Sequence, residues 1–89
     1  MVRALESGPM PANSKIAAID SEIGALIRKR RVASGLTLQA LAVALGCTYQ
    51  QIAKYERGQN RVSAARLLQI AETLKKPVAS FYPEKRAAR

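Results

Sequence analysis

Gly46, Cys47 and Thr48 are all the chain has in which to end one helix and begin the next. Upstream, Leu38, Leu41, Ala42 and Leu45 recur at helical spacing behind Thr37; downstream, Ile52 and Tyr55 turn one helix face inward behind Thr48. So short a linker makes the two helices cross at a steep angle. Such a crossing brings backbones close together, and Ala42 is the small residue where the first helix needs one. Gly46 stands where the chain must reverse, which favours a left-handed backbone that glycine adopts without Cβ strain.

The same punctuation frames the rest of the chain. Asp20 caps a first helical pattern carried by Ile19, Ile23, Leu26 and Ile27, and Gly35 follows its end. Thr48 and Gln51 form a Thr-x-x-Gln capping box for the third helix, which runs to about Arg57 and stops at Gly58. Ser63 caps a fourth, striped by Ala64, Leu67, Leu68, Ala71 and Leu74. Pro77 suits the first position of a short fifth helix ending near Phe81, Tyr82 and Pro83. The reading is all-α: a compact five-helix domain over 19–83, with no strands and no repeat. Residues 1–18, broken by Gly8, Pro9 and Pro11, read as a flexible arm, and 84–89 as a charged tail.

Composition narrows the chemistry. There is no histidine and one cysteine, Cys47, so neither an intrachain disulfide nor a zinc site is expected. A Ser-His or Cys-His couple is excluded for the same reason, so no enzyme, metal or cofactor is expected. The longest apolar run, 40–45, is far short of a membrane span. No segment reads as a secretory signal. Lys plus Arg is 15 against 6 Asp plus Glu, a net charge of +9. A polyanion is the natural partner of a domain so basic, and a cytoplasmic location, at the nucleoid when bound to DNA, fits that partner.

Helix geometry says which face would meet it. At 100° per residue, Gln50, Ala53, Lys54 and Arg57 lie together, roughly 100–160° around from Ile52, with Tyr49 at the leading edge. An amide, a small residue, an ammonium and a guanidinium on one strip suit the major groove, where Gln pairs with adenine and Lys with guanine.

Gly35-Leu36-Thr37, Leu41-Ala42, Leu45-Gly46, Thr48, Ile52, Tyr55-Glu56 and Gly58 together resemble the Cro/phage-repressor helix-turn-helix family, also called the xenobiotic-response-element type. The likeness continues through Leu67, Ile70-Ala71, Leu74 and Phe81, and 49–56 is similar to a branch common in bacteria. What the resemblance implies is a five-helix, lambda-repressor-like domain, usually dimeric, that places the helix after Thr48 in the major groove. It implies base contacts by Tyr49, Gln50 and Lys54. It implies phosphate contacts by Thr48, Gln51, Arg57, Gln59, Asn60 and Arg61, and a structural ion pair between Arg31 and Glu56.

Three positions depart from the family pattern. Leu38 stands where a phosphate-binding Gln is usual, leaving Gln39 as an imperfect substitute. Leu26 stands where arginine is common, and Lys75-Lys76 where glycine often ends the fourth helix. The run Arg28-Lys29-Arg30 can be read as a solvated face or as further phosphate contacts. Val78, Phe81 and Tyr82 are candidates for a dimer seam, with Phe81 favoured inward.

The function expected is a sequence-specific transcriptional regulator, a repressor that binds double-stranded DNA as a homodimer at a near-palindromic operator. The rival reading is an antitoxin that also binds a toxin as its protein partner. A non-specific architectural protein would show no preferred sequence.

Overall fold

The computed structural model describes residues 14–83. Among these the chain forms α1 (Ser14–Ala33), α2 (Leu38–Leu45), α3 (Tyr49–Glu56), α4 (Ala64–Leu74) and a 3-10 turn (Val78–Phe81). Helix starts follow the capping residues. The hydroxyl of Thr37 accepts from Ala40 N–H, that of Thr48 from Gln51 N–H, and that of Ser63 from Arg66 N–H, at 3.0, 3.2 and 3.0 Å. Gly46 ends α2 in the left-handed conformation, φ 74°, and Cys47 N–H donates back to Ala42 O at 3.0 Å.

Two expectations about elements are overturned. The fifth α-helix is a single 3-10 turn, so the fold is an all-α helix-turn-helix domain of four helices and a turn, not a five-helix bundle. Pro77 enters with an extended backbone, and Tyr82 is extended too, at φ −104° and ψ 149°, as a residue before proline tends to be. The four residues between them can make i→i+3 bonds, with Ser80 N–H donating to Pro77 O at 2.9 Å, but not a helical ladder.

The second correction concerns α1. It begins no later than Ser14, so residues 14–18, read as part of the arm, are helical. The rest of that arm, 1–13, and the tail, 84–89, lie outside the described residues. Asp20 is not a cap but a buried residue within the helix. The breakers Pro9 and Pro11 lie upstream of Ser14, and Ile16, Ile19, Ile23 and Ile27 continue the helical period, so nothing stops α1 at Asp20.

The core joins Ile27 of α1, Leu41, Ala42 and Leu45 of α2, Ile52 and Tyr55 of α3, Leu67, Ile70, Ala71 and Leu74 of α4, and Phe81 of the turn. In α4 the buried stripe is Leu67, Ile70, Ala71 and Leu74; Ala64 and Leu68, expected on it, are exposed. Leu26 and Leu38, both departures from the family pattern, are half-buried against this core. Apolar packing accounts for their side chains where the family carries polar ones.

Candidate nucleic-acid interface

The interface is built by what holds α3 from behind. Gly24 of α1 lies directly under the end of α3: a Cβ there would come within 2.2 Å of Tyr55 O and 2.8 Å of Glu56 O. On the α2 side, Ala42 is buried beneath the crossing, with Ile52 fully buried. Clamped on both sides, α3 turns its remaining face outward. Tyr49, Gln50 and Lys54 are exposed, with Ala53 half-buried between them. Neither α2 nor α3 has an acidic residue in its first turn, so the partial positive charge of each N-terminus is not cancelled locally.

Residues read as phosphate contacts flank that strip. Thr48 is exposed, with its hydroxyl capping Gln51 N–H. Gln51 and Asn60 are half-buried; Gln39, Arg57, Gln59 and Arg61 are exposed. Arg57 Nε donates to Gln59 Oε1 at 3.2 Å, which orients both side chains. The loop itself is tied to α3, with Gln59 N–H donating to Lys54 O at 2.9 Å and Gly58 at φ 74°.

Arg31 and Glu56 meet across α1 and α3. Arg31 Nε donates to Glu56 Oε2 at 2.6 Å and Nη2 to Oε1 at 3.0 Å. Arg31 Nη1 also donates to Leu36 O at 2.8 Å, just before α2. One guanidinium thus joins three segments of the domain. The hydrogen bonding that Glu56 accepts from Arg31 is the main reason that the Arg31 pKa is raised above its ordinary value, and burial opposes it. Arg31 therefore stays charged at any pH the domain would meet.

Three positions escaped sequence reasoning. Gly24, a glycine inside a helix, carried a readable hint of a close crossing. Asp20 accepts from Arg61 Nε at 3.0 Å across 41 positions, and no local pattern announces such a pair. Arg66 donates to Leu45 O at the end of α2, at 3.0 Å. Of the seam candidates, Val78 and Tyr82 are exposed, while Phe81 is 0% exposed. Phe81 closes the monomer's own core and has no surface to offer a second chain. Among the described residues, no group of three or more potential metal ligands occurs, and no helix is long and apolar enough to cross a membrane.

A short helix crossed over a second one, whose outer face is polar and cationic, defines the helix-turn-helix class of DNA-reading domains. The helix-turn-helix family profile matches residues 27–81, and the chain belongs to that family. A transcriptional regulator encoded in the ATPase CF(0) region of Rhodospirillum rubrum is 44% identical over 66 residues, 74% of this chain and 61% of that protein. A helix-turn-helix regulator of Sinorhizobium medicae is 46% identical over 66 residues, 74% of this chain and 48% of that protein. The chain thus spans about half to three fifths of the length of these curated relatives. Among solved structures, the restriction-modification controller protein C.AhdI from Aeromonas hydrophila superposes with TM-score 0.67 at 29% identity. That match covers 70% of this chain and 94% of the controller.

Proposed function

We propose that this domain is the DNA-reading part of a sequence-specific transcriptional regulator, a repressor that binds a near-palindromic operator as a homodimer. The observation that carries this reading is the exposed strip of Tyr49, Gln50 and Lys54 on α3, held outward by buried Ile52 and Tyr55 behind it. With α3 in the major groove, Gln50 and Lys54 read base edges and Tyr49 packs at the leading edge. Thr48, Gln51, Arg57, Gln59, Asn60 and Arg61 hold the phosphates on either side, and Gln39 stands in at the start of α2. Exposed Val78 and Tyr82 belong to the seam with the second protomer. Such a dimer works in the cytoplasm, on half-sites about one turn, ~10 bp, apart. The resemblance to a controller protein supports regulation as the output, since that protein is built on the same fold over nearly its whole length.

Selection of bound duplexes from a random DNA pool tests the reading. A two-fold-symmetric site is the expected result; retention on DNA without any enriched sequence would refute specific regulation. On the selected site, Gln50→Ala is expected to lower affinity roughly tenfold and to relax preference at one position in each half-site. Unchanged preference would mean that α3 docks in another orientation.

A further inference from the structure

The geometry points to Asp20 as a positioning residue for DNA binding: a buried carboxylate in α1 that sets Arg61 for a phosphate. The inference rests on the reading of α3 as the DNA-reading helix and extends it to a residue outside the helix-turn-helix.

Asp20 is only 9% exposed, whereas the side chain of Arg61 is 55% exposed. Asp20 Oδ2 receives Arg61 Nε at 3.0 Å. A carboxylate held at Nε fixes the plane of the guanidinium and the direction of its terminal nitrogens, which are the atoms suited to a phosphate. The next residue of the same turn touches the same loop. Gly58, at φ 74°, lies so near Ser21 that an added Cβ would stand 2.9 Å from Ser21 Cα. One turn of α1 therefore grips the loop at Gly58 and again at Arg61. Between these points lie Gln59 and Asn60, and just before them Arg57. The loop that carries the phosphate-directed side chains is thus held in shape before DNA arrives, and preorganisation of this kind lowers the ordering cost of binding.

Placing a carboxylate beside a phosphate-directed arginine would otherwise be unfavourable, because its negative charge repels the phosphates of the DNA. Two roles therefore predict opposite signs. A carboxylate that merely sits nearby weakens binding, and its removal tightens the complex. A carboxylate that positions Arg61 strengthens binding, and its removal loosens the complex.

The test measures dissociation constants by fluorescence anisotropy, on the selected duplex, for the wild type, Asp20→Ala, Asp20→Asn, Arg61→Ala and the Asp20→Ala/Arg61→Ala pair. All are assayed below their melting temperatures, as read by circular dichroism. Positioning predicts that Asp20→Ala and Arg61→Ala each weaken binding by roughly tenfold per protomer, the size of one charge-assisted hydrogen bond. The double variant should be no weaker than Arg61→Ala. Asp20→Asn, which keeps an acceptor for Nε, should recover most of the loss. Wild-type affinity or tighter binding in Asp20→Ala would overturn the inference, as would additive losses in the pair. An unaffected Arg61→Ala would also overturn it, yet leave the operator reading standing, because Gln50→Ala reports on that separately.

Discussion

Lys75 is the one non-glycine residue with positive φ among the described residues, at φ 59° and ψ 45°. It ends α4 where the helix must turn back, and Lys76 N–H donates to Ala71 O at 3.0 Å to close the cap. The left-handed conformation costs an L-residue about 1–2 kcal/mol, and part of that is offset because glycine loses more entropy on folding. Lys75→Gly is therefore expected to stabilise the domain by about 0.5–1 kcal/mol, seen as a rise of a few degrees in melting temperature. An unchanged or lower melting temperature would show that the lysine side chain earns its place through contacts of its own.

The ion pair of Arg31 and Glu56 makes a different argument, because both side chains are nearly buried, 10% and 5% exposed. Removing one partner strands the other charge, so Glu56→Ala should destabilise the domain by about 3–5 kcal/mol in urea unfolding. Replacing both with apolar residues, Arg31→Met with Glu56→Leu, should cost clearly less than the two single changes added together. It should not be free, since Leu36 O would lose its donor. Additive losses would mean that the pair contributes separately through packing.

At the scale of elements, α1 carries the sharpest conflict between local preference and tertiary contact. By helix propensity alone, Gly24→Ala should stabilise α1 by about 1 kcal/mol. The backbone of α3 forbids it, because the new Cβ would lie 2.2 Å from Tyr55 O. Backbone cannot yield as a side-chain tip can, so α1 and α3 must part, at a cost at or above the 1–3 kcal/mol of ordinary overpacking. Thermal melting decides the sign, and DNA affinity should fall with stability because α3 is the element displaced. A stabilised Gly24→Ala would place the crossing elsewhere.

That conflict also marks where the sequence stopped being informative. Helix boundaries at Thr37, Gly46, Thr48, Gly58 and Ser63 were legible because each is decided by a hydrogen bond or a backbone angle within a few residues. The outward strip of α3 was legible for a similar reason, since Ile52 and Tyr55 fix which way the helix rolls. Asp20 is a residue type that caps helices, and although the period of Ile16, Ile19, Ile23 and Ile27 runs through it, nothing local announces its distant partner Arg61. Leu68 belongs by hydrophobicity to the α4 stripe, yet it is 49% exposed, because Leu67 and Ile70 already take the positions that face the core. The fifth helix failed through two prolines, each readable alone, whose combined effect on four residues is stronger than either suggests.

Across the whole molecule, the pairing of Arg31 and Arg61 with carboxylates changes how the net charge acts. Two of the four acidic residues between 14 and 83, Asp20 and Glu56, face inward onto those arginines. The exposed cations, including Lys54, Arg57 and the half-exposed Arg61 on the α3 side, face only two further carboxylates within that span, Glu22 and Glu72. Affinity should then fall linearly on a log–log plot against salt, by about 0.9 per phosphate neutralised. With Arg57 and Arg61 as the cationic phosphate ligands of each protomer, the proposed dimer gives a slope of roughly −3.6, and a lone protomer roughly half that. Arg57→Ala should flatten the dimer slope by about 1.8, one phosphate from each half-site. A titration from 50 to 200 mM salt resolves these values. A slope near that of one protomer would contradict the dimer, while a slope beyond about −6 would bring Arg28 and Lys29 of α1 onto the backbone.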